Sequence, residues 1–420
     1  VILAAFRTRS FRFQWPADLV TSWSFEMETL ILGWYVMVTT GSVLWLTAFG
    51  SLQYLGTLAA PMYGVLGDRL GGRTVLCAMR TVYVVLAACL TLLAVTGRLT
   101  PGWVLVITTI SGLVRSNDLV LRNALIAETI PPRHLLGALG LSRATQDSAR
   151  VAGALSGAGL TTLIGIGGSY VIVTACYVVA LGLTLGVARR PTVPDPAAVP
   201  GVAGVQPTAP SRWRDLVDGL VRVATTPELL AMMLLAFLVN LTAYPVSGPL
   251  LPYAARSVFH VDATGLGWLV ASFSLGGLVG SVITVLAGRL PRPERMTFVC
   301  TALWYALLFA FGQASTLTAG LAALFTAGLV QNVAMISMTT TLLAAAGDGF
   351  RGRVMGVRML AVYGFPLGVV AFGFLIERLG YARTVGAAAV VGLLFTLLIA
   401  LRWRASVWNP ARTSTAPRRI

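Results

Sequence analysis

Twelve mostly apolar stretches, each roughly twenty residues long, follow one another at about 17–40, 45–67, 74–96, 102–127, 138–163, 166–188, 229–254, 264–288, 296–314, 317–345, 353–377 and 382–403. A helix of about 20 residues crosses a hydrocarbon core about 30 Å thick. Lipid offers the backbone no hydrogen bonds, so only helices or closed barrels can span it. A barrel would show apolar–polar alternation over roughly ten residues at a time, and these stretches do not alternate. The chain is therefore expected to be an all-α, polytopic membrane protein of twelve transmembrane helices. Its charged fraction of 11%, against about 25% in soluble proteins, agrees.

The 31 basic residues are all arginine and outnumber 15 acids, giving a formal charge of +16. Their placement excludes a nucleic-acid face. The odd-to-even loops at 41–44, 164–168 and 312–316 are neutral. The even-to-odd loops carry Arg69 and Arg73, Arg133, Arg189 and Arg190, Arg289, Arg292 and Arg295, then Arg351 and Arg353. Cytoplasmic loops are the positive ones, which puts both termini, also arginine-rich, in the cytoplasm. The expected location is the inner or plasma membrane, as a monomer. No signal peptide is read at the start of the chain, so the first span is expected to serve as targeting signal.

Between the sixth and seventh stretches, Pro191–Pro210 is too proline-rich to span and reads as an extended linker. It divides the chain into a six-helix bundle over 1–190, a cytoplasmic linker over 191–228 and a second six-helix bundle with a basic tail over 229–420. Within the linker, Trp213, Leu216, Val217, Leu220 and Val221 recur at helical spacing opposite Arg212, Arg214, Asp215, Asp218 and Arg222. The pattern fits either an amphipathic helix lying in the cytoplasmic interface or a simple lead-in to the seventh span. Cys77, Cys89, Cys176 and Cys300 all sit in apolar stretches without C-x-x-C spacing and read as small core residues. Neither a disulfide nor a metal site is expected.

Ionisable groups inside a membrane are costly and mark function by default. Arg115, Asp118 and Arg122 fall on one helical face at i, i+3, i+7, and Arg143, Asp147 and Arg150 repeat this at i, i+4, i+7. Glu26 and Glu28 sit near mid-depth on the first span, roughly 200° apart around the helix. Only one of them can face a cavity. Four acids, Glu26, Glu28, Asp118 and Asp147, thus stand against four arginines, Arg115, Arg122, Arg143 and Arg150. The second half has no acid in its spans apart from Glu377 at an end. Its mid-span polar groups are Asn240, Gln331 and Asn332, among Tyr244, Trp268, Phe273, Tyr363 and Phe365.

The decapeptide G-V-L-G-D-R-L-G-G-R at Gly64–Arg73 resembles the signature G-x-L-x-D-R-x-G-R/K-R/K of the major facilitator superfamily of transporters. Gly72 stands where a basic residue is usual. Trp34–Ser42, Ala124–Pro132 and Arg351–Arg358 look like the twelve-helix exporter branch that includes macrolide-efflux and enterobactin-export proteins. Arg115–Leu119, R-S-N-D-L, keeps only the arginine of the antiporter motif R-x-x-Q-G. Gly153, Gly157 and Gly159 resemble the glycine-rich antiporter motif without its proline.

The resemblance implies the major facilitator fold of two pseudo-symmetric bundles that rock about a site near the midplane. It further implies proton-coupled export of drugs, siderophores or other amphipathic small molecules, with the proton gradient as energy source and no cofactor. Glu26, Glu28, Asp118, Asp147, Arg115 and Arg150 are then the expected coupling groups, with Glu26 or Glu28 as proton carrier. Glu28, Tyr35, Asn240, Tyr244, Phe273, Gln331, Asn332 and Tyr363 would line the substrate cavity. Gly64, Asp68, Arg69, Arg73 and Glu128 would form a cytoplasmic latch. The partners expected are substrate, protons and the lipid bilayer, without nucleic acid. A fixed salt-bridge network, inward transport of a nutrient or iron chelate, and a non-transporting sensor remain open at this point. No G-x-x-x-x-G-K-S/T loop is present for an ATP-driven pump, and no nucleophile–base pair stands at working spacing for an enzyme.

Overall fold

The computed structural model describes residues 6, 8–59, 72–115, 118–129, 132–187, 212–287, 291–347 and 349–404. All regular elements among them are helical. They are α1 (Arg9–Thr40), α2 (Val43–Leu52), α3 (Gly72–Val95), α4 (Pro101–Arg115), α5 (Asp118–Thr129), α6 (Pro132–Leu185) and α7 (Arg212–Thr225). Then follow α8 (Pro227–Thr242), α9 (Ala263–Leu286), α10 (Pro293–Gly312), α11 (Leu317–Ala346), α12 (Arg351–Ala361), α13 (Gly364–Leu379) and α14 (Tyr381–Arg402). Among the described residues seven helical segments are long and apolar enough to cross a membrane; the second predicted span is helical over Val43–Leu52, and its later part, from residue 60, lies outside the described residues.

Two departures from the predicted spans have local causes. The fifth and sixth spans form one run, α6, interrupted only at Gly165 (φ 69, ψ 180). A non-glycine residue would be strained there, so the predicted loop contracts onto this residue. The fourth span comprises α4 and α5, with residues 116 and 117 outside the described residues. The seventh is broken: α8 ends at Thr242, short helical pieces follow at Tyr244–Ser247 and Leu251–Tyr253, and a π turn covers Ala254–Val258. Pro245 and Pro252 lack the N–H that a continuous helix needs, and Gly248 leaves helical geometry at φ −140, ψ −92.

The chain forms two compact units. One comprises Val1–Gln206 with Leu251–Ala271, the other Pro207–Leu250 with Ser272–Ile420. The first is centred on Ile31, Leu46, Leu76, Leu90, Tyr170 and Tyr177. Here α1 and α6 approach so closely that a side chain at Gly153 would strike the Glu26 Cβ and the Trp23 carbonyl. Within the same unit Arg256, in the π turn, donates to the Met37 carbonyl. That carbonyl belongs to the last turn of α1, where a cation is favoured by the helix dipole. The second unit is centred on Leu229, Met232, Met338, Leu342, Val354 and Val357. Its α9 and α11 cross with almost no space between their backbones: a Cβ at Gly276 would meet the Phe325 carbonyl, and one at Gly328 the Phe273 carbonyl. Close approach through small residues is the common way helices pack in lipid. All four cysteines are free; Cys300 is buried, and Cys89 is exposed rather than in the core.

Candidate functional site

Helix α1 carries both mid-depth glutamates, and their angular separation sends them to different surroundings. The Glu28 side chain is buried, 8% exposed, and its Oε2 accepts a hydrogen bond from the Tyr177 hydroxyl at 2.6 Å. Among the described residues it makes no ion pair. Glu26 instead lies 3.4 Å from Arg150, with side-chain exposures of 23% and 48%. Arg143 and Asp147 pair at 3.5 Å, the arginine largely exposed. The second arginine ladder therefore does not act as one row, because its last member is taken by α1.

The first ladder also divides. Arg115, at the end of α4, donates to Thr29 Oγ1 at 3.0 Å and to Gln53 Oε1 at 3.3 Å. Together with Glu28, Thr108, Ser111 and Phe49 it lines a cavity of about 10 Å³, close to the space one water molecule needs. Asp118 and Arg122, at the start of α5, instead join a fully buried cluster. Asp18 pairs with Arg80 and lies 3.6 Å from Arg122, and Arg122 pairs with Asp118. Arg122 Nη1 also donates to Ser22 Oγ at 2.7 Å and to the Asp18 carbonyl at 3.2 Å. Arg80 further donates to Thr184. Two acids and two arginines balance, as a buried set must if it is not to leave a lone charge.

Phe25 touches both groups. The Arg115 guanidinium lies 4.3 Å from its ring centroid and that of Arg122 6.0 Å, within cation–π range. Tyr83 and Tyr177 pack against the same ring at 5.0 and 5.8 Å. Asp18, Arg80, Phe25, Tyr83 and Tyr177 were absent from the residues singled out by sequence. Asp18 and Arg80 had a signal, since each is an ionisable group within a predicted span, but both lie near a span end, where charge is usual.

In the second unit Gln331 Nε2 donates to the Tyr244 hydroxyl at 2.8 Å, and the Tyr244 ring meets Trp304 edge-on at 5.1 Å. Trp304 and Tyr305 are fully buried, with a 2.7 Å hydrogen bond between the Tyr305 and Thr242 hydroxyls. Asn332 packs against Gly277 and Gly280, and its Oδ1 is buried without a hydrogen-bond partner among the described residues. Asn240 turns back on its own helix, donating to the Ala236 carbonyl. Phe273 and Tyr363 are half-buried. Arg358, also missed, donates to Thr339 Oγ1 at 2.8 Å. Tyr35 belongs to the first unit, where its hydroxyl donates to the Leu99 carbonyl.

Of the expected latch, Gly64, Asp68 and Arg69 lie outside the described residues, as does the side chain of Glu128. Arg73 donates to the Leu185 carbonyl at 2.5 Å, the usual place for a cation at a helix C-terminus. Among the described residues no three His, Cys, Asp or Glu side chains gather as metal ligands would.

Apolar helices long enough to cross a bilayer, with desolvated ion pairs between them, define a multi-pass helical membrane protein. The sequence profile of the Major Facilitator Superfamily matches residues 17–366, and the chain belongs to that superfamily of membrane transporters. Solved structures share the fold. An auto-inhibited POT-family peptide transporter superposes with a TM-score of 0.72 at 12% identity, covering 94% of this chain and 97% of its own. A bacterial homologue of the human lysosomal transporter Spinster, inward-facing and unoccupied, gives 0.69 at 15% identity, with 95% and 98% covered. The E. coli fucose:proton symporter gives 0.60 at 13%, with 94% and 98% covered. No curated protein matches the chain in sequence.

Proposed function

We propose that this transporter exports hydrophobic or amphipathic small molecules by alternating access, driven by protons that load on Glu28. The observation that carries the reading is the state of that carboxyl: buried, without an ion-pair partner among the described residues, and held by one tyrosine hydroxyl. A carboxylate in that position must be hydrogen-bonded or protonated to avoid a large desolvation cost. Taking up a proton would remove the demand on Tyr177 and leave Arg115, which lines the same cavity, facing a neutral group. Changes of that size bias the choice between two helix arrangements. Asp18 and Asp118 are unsuited to the task because arginines already compensate them.

The substrate class rests on the second unit. The half-buried Tyr244, Phe273 and Tyr363, with Gln331 as a polar neighbour, offer aromatic area with few directional hydrogen bonds, which suits amphipathic ligands of varied shape. Export, the cytoplasmic termini and placement in the inner or plasma membrane rest on the arginine pattern and on the exporter-like strings at Trp34–Ser42, Ala124–Pro132 and Arg351–Arg358.

The test uses inverted membrane vesicles, acidified inside and loaded with a pH-sensitive acridine dye. A panel of macrolides, catechol siderophores and lipophilic cations is added in turn. An exported compound dissipates the gradient and restores fluorescence with the native protein. The Glu28→Gln variant is expected to lose that response while retaining gradient-independent exchange of the same compound. Accumulation in right-side-out vesicles instead would reverse the direction, and an unimpaired Glu28→Gln response would remove the proton role.

A further inference from the structure

We propose that α7 is a membrane-surface anchor whose Val217–Leu220–Val221 face inserts into the cytoplasmic leaflet, with a preference for anionic phospholipid. The helix forms over Arg212–Thr225, and its described part, Val217–Thr225, meets α8 at an angle of 107°. Because α8 enters the seventh span, a helix almost perpendicular to it lies close to the membrane plane. The junction is within reach of the lipid: Pro227 opens α8 and the apolar run begins at Leu229, about half a turn later. That position is the depth of the headgroups.

The way α7 packs on protein leaves its apolar side unused. Gly219 lies against the Arg353 carbonyl and Val357 closely enough that a Cβ would touch both at 3.0 Å. Val223, one turn on, is buried at 5% exposure. Asp218 faces Arg353 at 3.4 Å. These residues fix one side of the helix to α12. On the opposite arc, at spacings of 3, 4 and 7, Val217, Leu220 and Val221 are 51, 41 and 56% exposed, and Ala224 is exposed beside them. An amphipathic helix that docks through its glycine and acid while presenting valine and leucine outward has its apolar face matched to lipid.

Charge on the same structure points to the lipid class. Arg222 and Arg353 both lie over the Phe350 ring, at 5.7 and 5.2 Å, and the exposed Arg351 is adjacent in the chain. Among the described side chains three arginines stand beside Asp218 at that edge. Basic groups at the cytoplasmic surface attract anionic headgroups, and arginine stems can lie on apolar surface with their heads in the phosphate layer.

Full-length protein with its four cysteines replaced is spin-labelled singly at 217, 218, 220, 221, 222 and 224 and placed in nanodiscs of phosphatidylcholine, with or without phosphatidylglycerol. Collisions with oxygen should peak at 217, 220, 221 and 224, and collisions with a water-soluble nickel chelate at 218 and 222. The labels on the apolar face should move deeper when phosphatidylglycerol is present. Nickel access at 217, 220 and 221 equal to that at 218 would overturn the anchor. So would protection of those sites from both colliders, which would mean that protein covers the face. Equal depth in the two lipid mixtures would overturn the anionic preference. Because a label at 218 removes the Asp218–Arg353 pair, each labelled protein is first checked against the native protein by size-exclusion elution; none of the sites touches Glu28.

Discussion

In the first unit Asp18, Arg80, Asp118 and Arg122 expose 5% or less of their surface, whereas the second unit fills its interior with Trp304, Tyr305, Met338 and Leu342 and brings α9 and α11 together through glycines. The two interiors make different demands. Aromatic and glycine packing is satisfied whatever the protonation state. A desolvated ion cluster is stable only while every charge keeps its partner. The first unit is thus the one whose packing a lost charge would disturb, a demand that the aromatic and glycine packing of the second does not make.

The strongest test of that contrast is Arg122→Met. The arginine serves Asp18 and Asp118 together, so its removal leaves two buried carboxyls with Arg80 alone, one negative charge in excess. Breaking a buried pair typically costs about 3–5 kcal/mol. Thermal unfolding in detergent should show a large loss of stability or failure to accumulate. Adding Asp118→Asn should recover part of the loss, since one acid and one arginine then remain. A single variant as stable as the native protein would mean the cluster is not a structural requirement of the first unit.

Gly328→Ala probes the other side of the comparison. The added methyl would meet the Phe273 carbonyl on α9, and backbone cannot step aside as a side chain can. Overpacking of this kind costs about 1–3 kcal/mol, so the melting temperature should fall by less than for Arg122→Met. A substrate preference altered while the proton response is retained would sharpen the division between the units. A fall larger than that of Arg122→Met would reverse the ranking.

These expectations draw on parts of the protein that the sequence exposes unequally. The spans are legible because the bilayer demands about twenty apolar residues in a row, a requirement met within each segment alone. The opposed fates of Glu26 and Glu28 are likewise a property of one helix, fixed by their two-residue spacing. Pro245, Gly248 and Pro252 carried the break in the seventh span openly, yet the apolar length masked it. What could not be read is pairing across distance. Glu28 and its Tyr177 are 149 residues apart and Arg80 and Asp18 are 62 apart, and no local pattern links them. Arg115 and Arg122 looked like one ladder because helical spacing aligns them, but Arg115 reaches Thr29 and Gln53 whereas Arg122 reaches Asp18 and Asp118.

The smallest effect is expected at Glu26, and it bears most directly on which glutamate matters. Glu26 and Arg150 form a pair that is partly open to its surroundings, at 3.4 Å and with the arginine half exposed. Such pairs contribute about 0.2–1 kcal/mol where water screens them. Glu26→Gln keeps the shape of the side chain and a hydrogen-bonding oxygen for Arg150, so the melting temperature should hardly move and the proton response in vesicles should persist. Glu28→Gln, two residues away on the same helix, should leave stability similar and remove the response. Loss of the response in Glu26→Gln with retention in Glu28→Gln would move the coupling group to the exposed side of α1. It would also show that ion pairing with Arg150, rather than burial against Tyr177, is the condition for carrying the proton.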